Sequence, residues 1–219
     1  MSSPGCIPLA LMTAMAALVM SPVARASDDL LNAAYYGDLP KVRTLLARGA
    51  DIDFSDSTGH TALTYATQQG QESVVEELLR RGAAVNVLRV DGQTPLHFAA
   101  ASGELKIVEA LVAAHADFDL QSASGFTPLM LASANGHTAV VRSLLAAGAA
   151  LERETDLGET ACLLAAQKGY EAIVRVLLAA GADANHRRGD GVSALHLAAE
   201  NQHIGTAQLL LAAGASIGP

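Results

Sequence analysis

Seven histidines, 22 carboxylates and two cysteines are the side chains with which this chain could do acid–base, metal or thiol chemistry. A histidine shuttles protons or ligates a metal near neutrality. A thiol attacks only as a thiolate, in an exposed and positive setting. Spacing decides between these uses, and here it favours none. His97 and His196 each stand three residues after a small hydroxyl residue, in Thr94-Pro95-Leu96-His97 and Ser193-Ala194-Leu195-His196. His137 and His203 follow short loops, His60 and His186 lie in or near turns far apart along the chain, and His115 stands where related segments carry glycine. No His-x3-His or Cys-x2-Cys pair offers ligands to a metal. No glycine-rich phosphate loop follows a strand, and the carboxylates scatter through turns and helix surfaces, where solvation and helix-dipole matching account for them. With no assembled constellation, the expectation is a protein that is not an enzyme and holds no metal or cofactor.

The net charge is −8, and without residues 1–26, which contain Arg25 and no acid, it becomes −9. Broad phosphate-backbone binding needs a basic stripe, so no nucleic acid is expected as a partner. Aromatics make up 4% of the chain and tryptophan is absent, so the core must be built from Leu, Val, Ile and Ala.

The elements that would have to position any site come from a repeat. Gly59, Gly92, Gly125, Gly158 and Gly191 are spaced 33 residues apart. In the same phase stand Thr61, Thr94, Thr127, Thr160 and Ser193, then Leu63, Leu96, Leu129, Cys162 and Leu195, then Ala66, Ala99, Ala132, Ala165 and Ala198. A double apolar step follows at Leu78-Leu79, Leu111-Val112, Leu144-Leu145, Leu177-Leu178 and Leu210-Leu211. A period this regular means a stacked array. Thr94 caps a helix whose first turn accepts Pro95, and Gly103 stops it where a left-handed residue is needed. Ile107, Val108, Leu111 and Val112 then mark one apolar face of a second helix.

These units resemble the ankyrin repeat. Thr94 to His97 gives its Thr-Pro-Leu-His in full, and Gly181 to Asn185 gives its Gly-Ala-Asp-x-Asn ending. The resemblance covers roughly residues 27–218. It implies an all-α solenoid of about six helix-turn-helix units joined by β-hairpin-like turns. The units are 27–58, an N-terminal cap, then 59–91, 92–124, 125–157 and 158–190, and 191–219, a C-terminal cap. It also implies that His97 and His196 bond backbone groups across repeats.

Residues 1–26 stand outside the array. Ile7 to Met20 is an apolar run of fourteen residues interrupted by Pro8 and Thr13, followed by Ser21-Pro22 and Ala24-Arg25-Ala26. That pattern predicts a secretory signal cleaved after Ala26, although no Lys or Arg precedes the run. The run is short for a membrane span. Membrane contact is expected only through this segment before cleavage, and the mature chain is expected in a bacterial periplasm. Cys6 would leave with the signal, and Cys162, in a core-leucine position, reads as a small hydrophobe. Ser27-Asp28-Asp29 reads as the capped start of the first helix, and Lys41 and Thr44 as a solvent-facing terminal surface. In the last unit Gln202 replaces the central glycine, and Thr206-Ala207 replaces the apolar pair.

What remains is a surface. In ankyrin arrays the turn tips and the exposed side of each first helix line a concave groove. Carried onto this chain, that groove takes Tyr35, Tyr36, His60, Gln69, Leu88, Val90, Gln93, Phe126, Asn135, Leu157, Glu159 and Lys168. The expected partner is another protein, with Phe126 projecting from a turn tip and the tyrosines as anchors. The chain also resembles small exported ankyrin proteins of Gram-negative bacteria, which implies support of a periplasmic enzyme such as a catalase. The rival expectation is an immunity or inhibitor protein that neutralises an exported toxin or lipolytic enzyme through the same groove.

Overall fold

The computed structural model describes residues 22–216. Among these residues there are twelve helices and no strand. They form six antiparallel pairs: α1 (Pro22–Tyr35) with α2 (Leu39–Ala47), α3 (Ala62–Gln68) with α4 (Glu72–Arg80), and α5 (Pro95–Ser102) with α6 (Leu105–Ala113). Then come α7 (Pro128–Ala134) with α8 (Thr138–Ala147), α9 (Ala161–Gln167) with α10 (Glu171–Ala179), and α11 (Ala194–Glu200) with α12 (Ile204–Ala212).

The repeated residues explain the repeated geometry. Thr61, Thr94, Thr127, Thr160 and Ser193 are extended and buried N-caps, and Thr61, for example, accepts the Thr64 N–H at 3.3 Å. Such caps satisfy donors that the first helical turn leaves orphaned. The alanines at 66, 99, 132, 165 and 198 are fully buried, so each first helix lies close against the next. In each apolar pair the first member (Leu78, Leu111, Leu144, Leu177, Leu210) is fully buried. The second is only partly covered, and Leu211 is exposed at the end of the stack. First helices contact one another more extensively than second helices do. Closer approach on one side bends the stack toward that side, so the first helices line the hollow flank.

Polar clasps join neighbouring units along the loops. The side chains of Asp53, Asn86, Asp119, Glu152 and Asn185 each accept a backbone N–H from the next repeat, at Ala84, Asp117, Ala150, Asp183 and Ser216, over 2.8–2.9 Å. His115 and Gln202 adopt positive φ, 63° and 60°, in place of the glycine used elsewhere. Thr206 is buried, so the last repeat keeps its packing position with a polar residue in it.

The expected signal falls mostly on residues 1–21, which lie outside the described residues. The helix start expected at Ser27 is corrected. α1 is already helical at Pro22, and Ser27 lies buried within it, its Oγ accepting the Asp51 N–H at 3.0 Å. Among the described residues no helix is long and apolar enough to cross a membrane.

Candidate protein-binding groove

Five turns build the rim of the hollow flank. Each opens with the N–H of Asp56, Arg89, Ser122, Thr155 or Arg188 donating to the carbonyl four residues on, over 2.9–3.1 Å. Each closes with a glycine N–H donating back to the opening residue. Neighbouring tips bond to one another: Val90 N to Thr58 O at 3.2 Å, Ala123 N to Asp91 O at 2.9 Å, and Asp156 N to Ser124 O at 3.4 Å. The rim from the first to the fourth turn is therefore one hydrogen-bonded edge, ordered before any partner arrives.

On that edge the structure exposes Leu88, Val90 and Leu157, the latter two at 73% and 71%. Tyr36 is 77% exposed just past the end of α1, with Tyr35 beside it. Gln69, Asn135 and Lys168 are exposed at the C-terminal ends of α3, α7 and α9. Asn135 Nδ2 donates to the Ala101 carbonyl at 3.1 Å, which fixes it across two repeats. Gln93 is half-buried.

Three predicted residues sit deeper. Phe126 is half-buried against the core instead of projecting from the tip, because its backbone is clamped on both sides. Its N–H donates to Ser122 Oγ at 3.2 Å, and its carbonyl accepts the Ser122 N–H at 2.9 Å. His60 is buried and stacks on Tyr65, with centroids 4.4 Å apart and planes 8° apart. Burial, and then the Arg89 charge, hold its pKa below the ordinary 6.5, against the pull of Asp56 and Asp91. Glu159 is buried and pairs with Arg188 at 3.3 Å.

Sequence reasoning missed a row just inside the rim. Tyr65 and Phe98 share one repeat phase, and Asp56 and Arg89 another, so the period was the signal that could have found them. Arg89 lies 5.3 Å from the Phe98 ring centroid and pairs with Asp91 at 3.2 Å. Asp56 accepts the Tyr65 hydroxyl at 2.6 Å, the Thr58 hydroxyl at 2.7 Å and the N–H groups of Thr58 and His60. Burial pushes the Asp56 pKa up, but these hydrogen bonds outweigh it and hold the group far below the usual carboxylate range. The bond to Asp56, together with burial, pushes Tyr65 up to about 12.

His97, His137 and His203 bond backbone groups across repeats, whereas among the described residues His196 bonds only Ser193 of its own repeat, against the expectation for it. His97 is buried, its Nδ1 taking the Thr94 N–H at 3.1 Å and its Nε2 donating to the Phe126 carbonyl of the next repeat at 3.0 Å. His137 and His203 donate to the Ala101 and Gln167 carbonyls, satisfying helix C-termini of the preceding repeats. Burial pushes the Cys162 thiol up to about 12, which suits a packed, inert side chain. Ser216 lies in a Gly-x-Ser-x-Gly string, Gly214 to Gly218, which sequence reasoning passed over. Its hydroxyl bonds Asn185 at 3.1 Å and follows a helix, so it lacks the strand-to-helix elbow such a nucleophile needs. Among the described residues no group of three or more His, Cys, Asp or Glu is placed to hold a metal ion.

The back of the stack corrects the reading that all carboxylates are solvated. Glu77 is 4% exposed and receives Arg80 at 2.8 Å, Arg81 at 2.7 Å and Arg43 at 3.4 Å. Hydrogen bonds from Arg80 and then Arg81 hold its pKa down at about 2.

The sequence pattern for ankyrin repeats (three copies) matches residues 30–122, 68–155, 106–188 and 129–219. The chain belongs to the ankyrin-repeat family. A solved ankyrin repeat domain from Acinetobacter baumannii is 35% identical to it, with a TM-score of 0.80, covering 86% of this chain and 98% of that one. No functionally curated protein matches it in sequence. Ankyrin repeats mark this chain as a protein-binding scaffold, and members of the family are generally non-catalytic.

Proposed function

We propose that this ankyrin-repeat protein is exported to a bacterial periplasm, where its concave groove holds another protein and supports a periplasmic enzyme such as a catalase. One observation carries the binding reading: Leu88, Val90 and Leu157 stand exposed on a rim whose tips are already hydrogen-bonded to one another. Aliphatic side chains on such a rim gain by burial and lose little further freedom on binding. Export is supported by the apolar run and the Ala24-Arg25-Ala26 ending of the first 26 residues.

The test is affinity capture from periplasmic extract. Bait proteins are wild type, a groove variant (Val90→Ser with Leu157→Ser) and a back-face control (Glu109→Ser with Arg142→Ser). Wild type and control recover the same enzyme, and the groove variant recovers at least about tenfold less at an unchanged thermal midpoint. Equal capture by the groove variant overturns the placement of the interface. A captured enzyme that keeps its activity supports the scaffold, whereas stoichiometric loss of activity marks an inhibitor instead. N-terminal sequencing of periplasmic protein beginning at Ser27 supports export, and protein found only in the cytosol refutes it.

A further inference from the structure

A cavity of about 480 Å³ opens at the N-terminal end of the groove, between α1, α3 and the first turn. Its walls include Tyr35, Tyr36 and Tyr65, with Asp28 and Asp56. The Tyr35 ring stands edge-on to Tyr36 (5.0 Å, 78°) and to Tyr65 (5.8 Å, 76°), so nearly perpendicular rings offer π-faces along different directions. Among the described residues neither Asp28 nor Asp56 pairs with a lysine or arginine. Tyr65 and Thr58 hold the Asp56 carboxylate in place, so it cannot swing out to solvent.

Two carboxylates that no lysine or arginine neutralises, beside three aromatic rings, favour one chemical complement. An anionic group is repelled here, and an aliphatic one would strip water from the carboxylates without replacing it. A cation gains from both the charges and the ring quadrupoles. We infer that this pocket receives one basic side chain, lysine or arginine, of the bound protein, and so fixes where the partner lies along the groove. The inference rests on the groove reading above and names the chemistry at one end of it.

The pocket is tested without a partner. N-acetyl-arginine amide and N-acetyl-lysine amide are titrated into the purified protein carrying 13C-labelled tyrosine, with N-acetyl-citrulline amide and N-acetyl-norleucine amide as neutral controls. Both cations give saturable shifts at Tyr35, Tyr36 and Tyr65, and the neutral probes bind at least about tenfold more weakly. Among the described residues the Asp28 carboxylate and the Tyr36 hydroxyl make no hydrogen bond, so substituting them spares the fold. Asp28→Asn weakens the cations about fivefold, and Tyr36→Leu about threefold, each at an unchanged thermal midpoint. Citrulline binding as tightly as arginine, or no tyrosine shift with either cation at millimolar concentration, overturns the inference. Because no partner is present, that result leaves the capture experiment to decide the groove reading by itself.

Discussion

Removing the His97 imidazole tests how one repeat is fastened to the next. The ring is fully buried and bonds on both sides. Nδ1 accepts from the Thr94 N–H at 3.1 Å and faces Thr94 Oγ1 at 2.8 Å, while Nε2–H donates to the Phe126 carbonyl at 3.0 Å. In His97→Leu the Thr94 N–H loses its side-chain acceptor, at about 1–3 kcal/mol, and the cross-repeat bond is worth about 1 kcal/mol more. Two features reduce the total. The Phe126 carbonyl keeps the Ser122 N–H at 2.9 Å, and the leucine adds apolar contact, as Leu163 does at the same place in the fifth repeat. A net loss of about 2 kcal/mol follows, or about 4–8 °C in midpoint for a chain of this size. His97→Asn keeps a short-range acceptor for Thr94, cannot reach Phe126, and loses about 1 kcal/mol. Burial holds the His97 pKa below the ordinary 6.5, partly opposed by bonds to the Phe126 and Leu120 carbonyls. The unfolded chain therefore takes up the proton first. The stability this group contributes is complete above pH 6.5 and is lost as pH falls below it toward the folded value. Urea unfolding at a series of pH values from 7.5 to 5 reads both effects. Wild type loses stability across that range and His97→Leu loses less, with His60 supplying part of the remaining slope. A His97→Leu protein as stable as wild type at pH 7.5, or with the same pH slope, refutes this reasoning.

Three further outcomes are expected. Leu111→Ala, at a fully buried site, costs about 2–5 kcal/mol, and amide exchange shows the lost protection centred on α4, α6 and α8 because coupling runs between nearest neighbours. Gly125→Ala is costlier than Gly148→Ala by chemical denaturation. Both have positive φ, but a Cβ at 125 comes within 2.8 Å of the Asp156 N and Thr155 Cα atoms, whereas at 148 it meets nothing within 4 Å. At Gly148 only the backbone penalty of about 1–2 kcal/mol remains. For Glu77, whose pKa is lowered from 4.5 to about 2, the contribution is complete above pH 4.5 and lost as pH falls toward 2. Glu77→Gln lowers the midpoint at pH 7 and flattens that acid limb in a thermal-melt series.

The amino-acid order alone determined the helix pairs from the second to the sixth, because each depends on contacts within about one repeat. Thr94, Pro95, Gly103 and the leucine steps state their roles locally, and the 33-residue phase supplies the neighbour each must meet. It also determined the row of turns, since one turn per repeat follows from the period. Tertiary structure decided which side chains face the groove. Phe126 and Glu159 stand in one repeat phase with His60, Gln93 and Val192, and packing draws all five at least partly inward, which their residue types and spacing do not state. Glu77 looks like any surface glutamate in the sequence and becomes a buried hub, because Arg43 reaches it from the neighbouring repeat 34 positions away. The tyrosine pocket likewise needs α1 and α3 side by side before Asp28 and Asp56 share one cavity. Such features depend on which side chains converge from different repeats, and the linear pattern fixes the spacing of repeats without fixing that convergence.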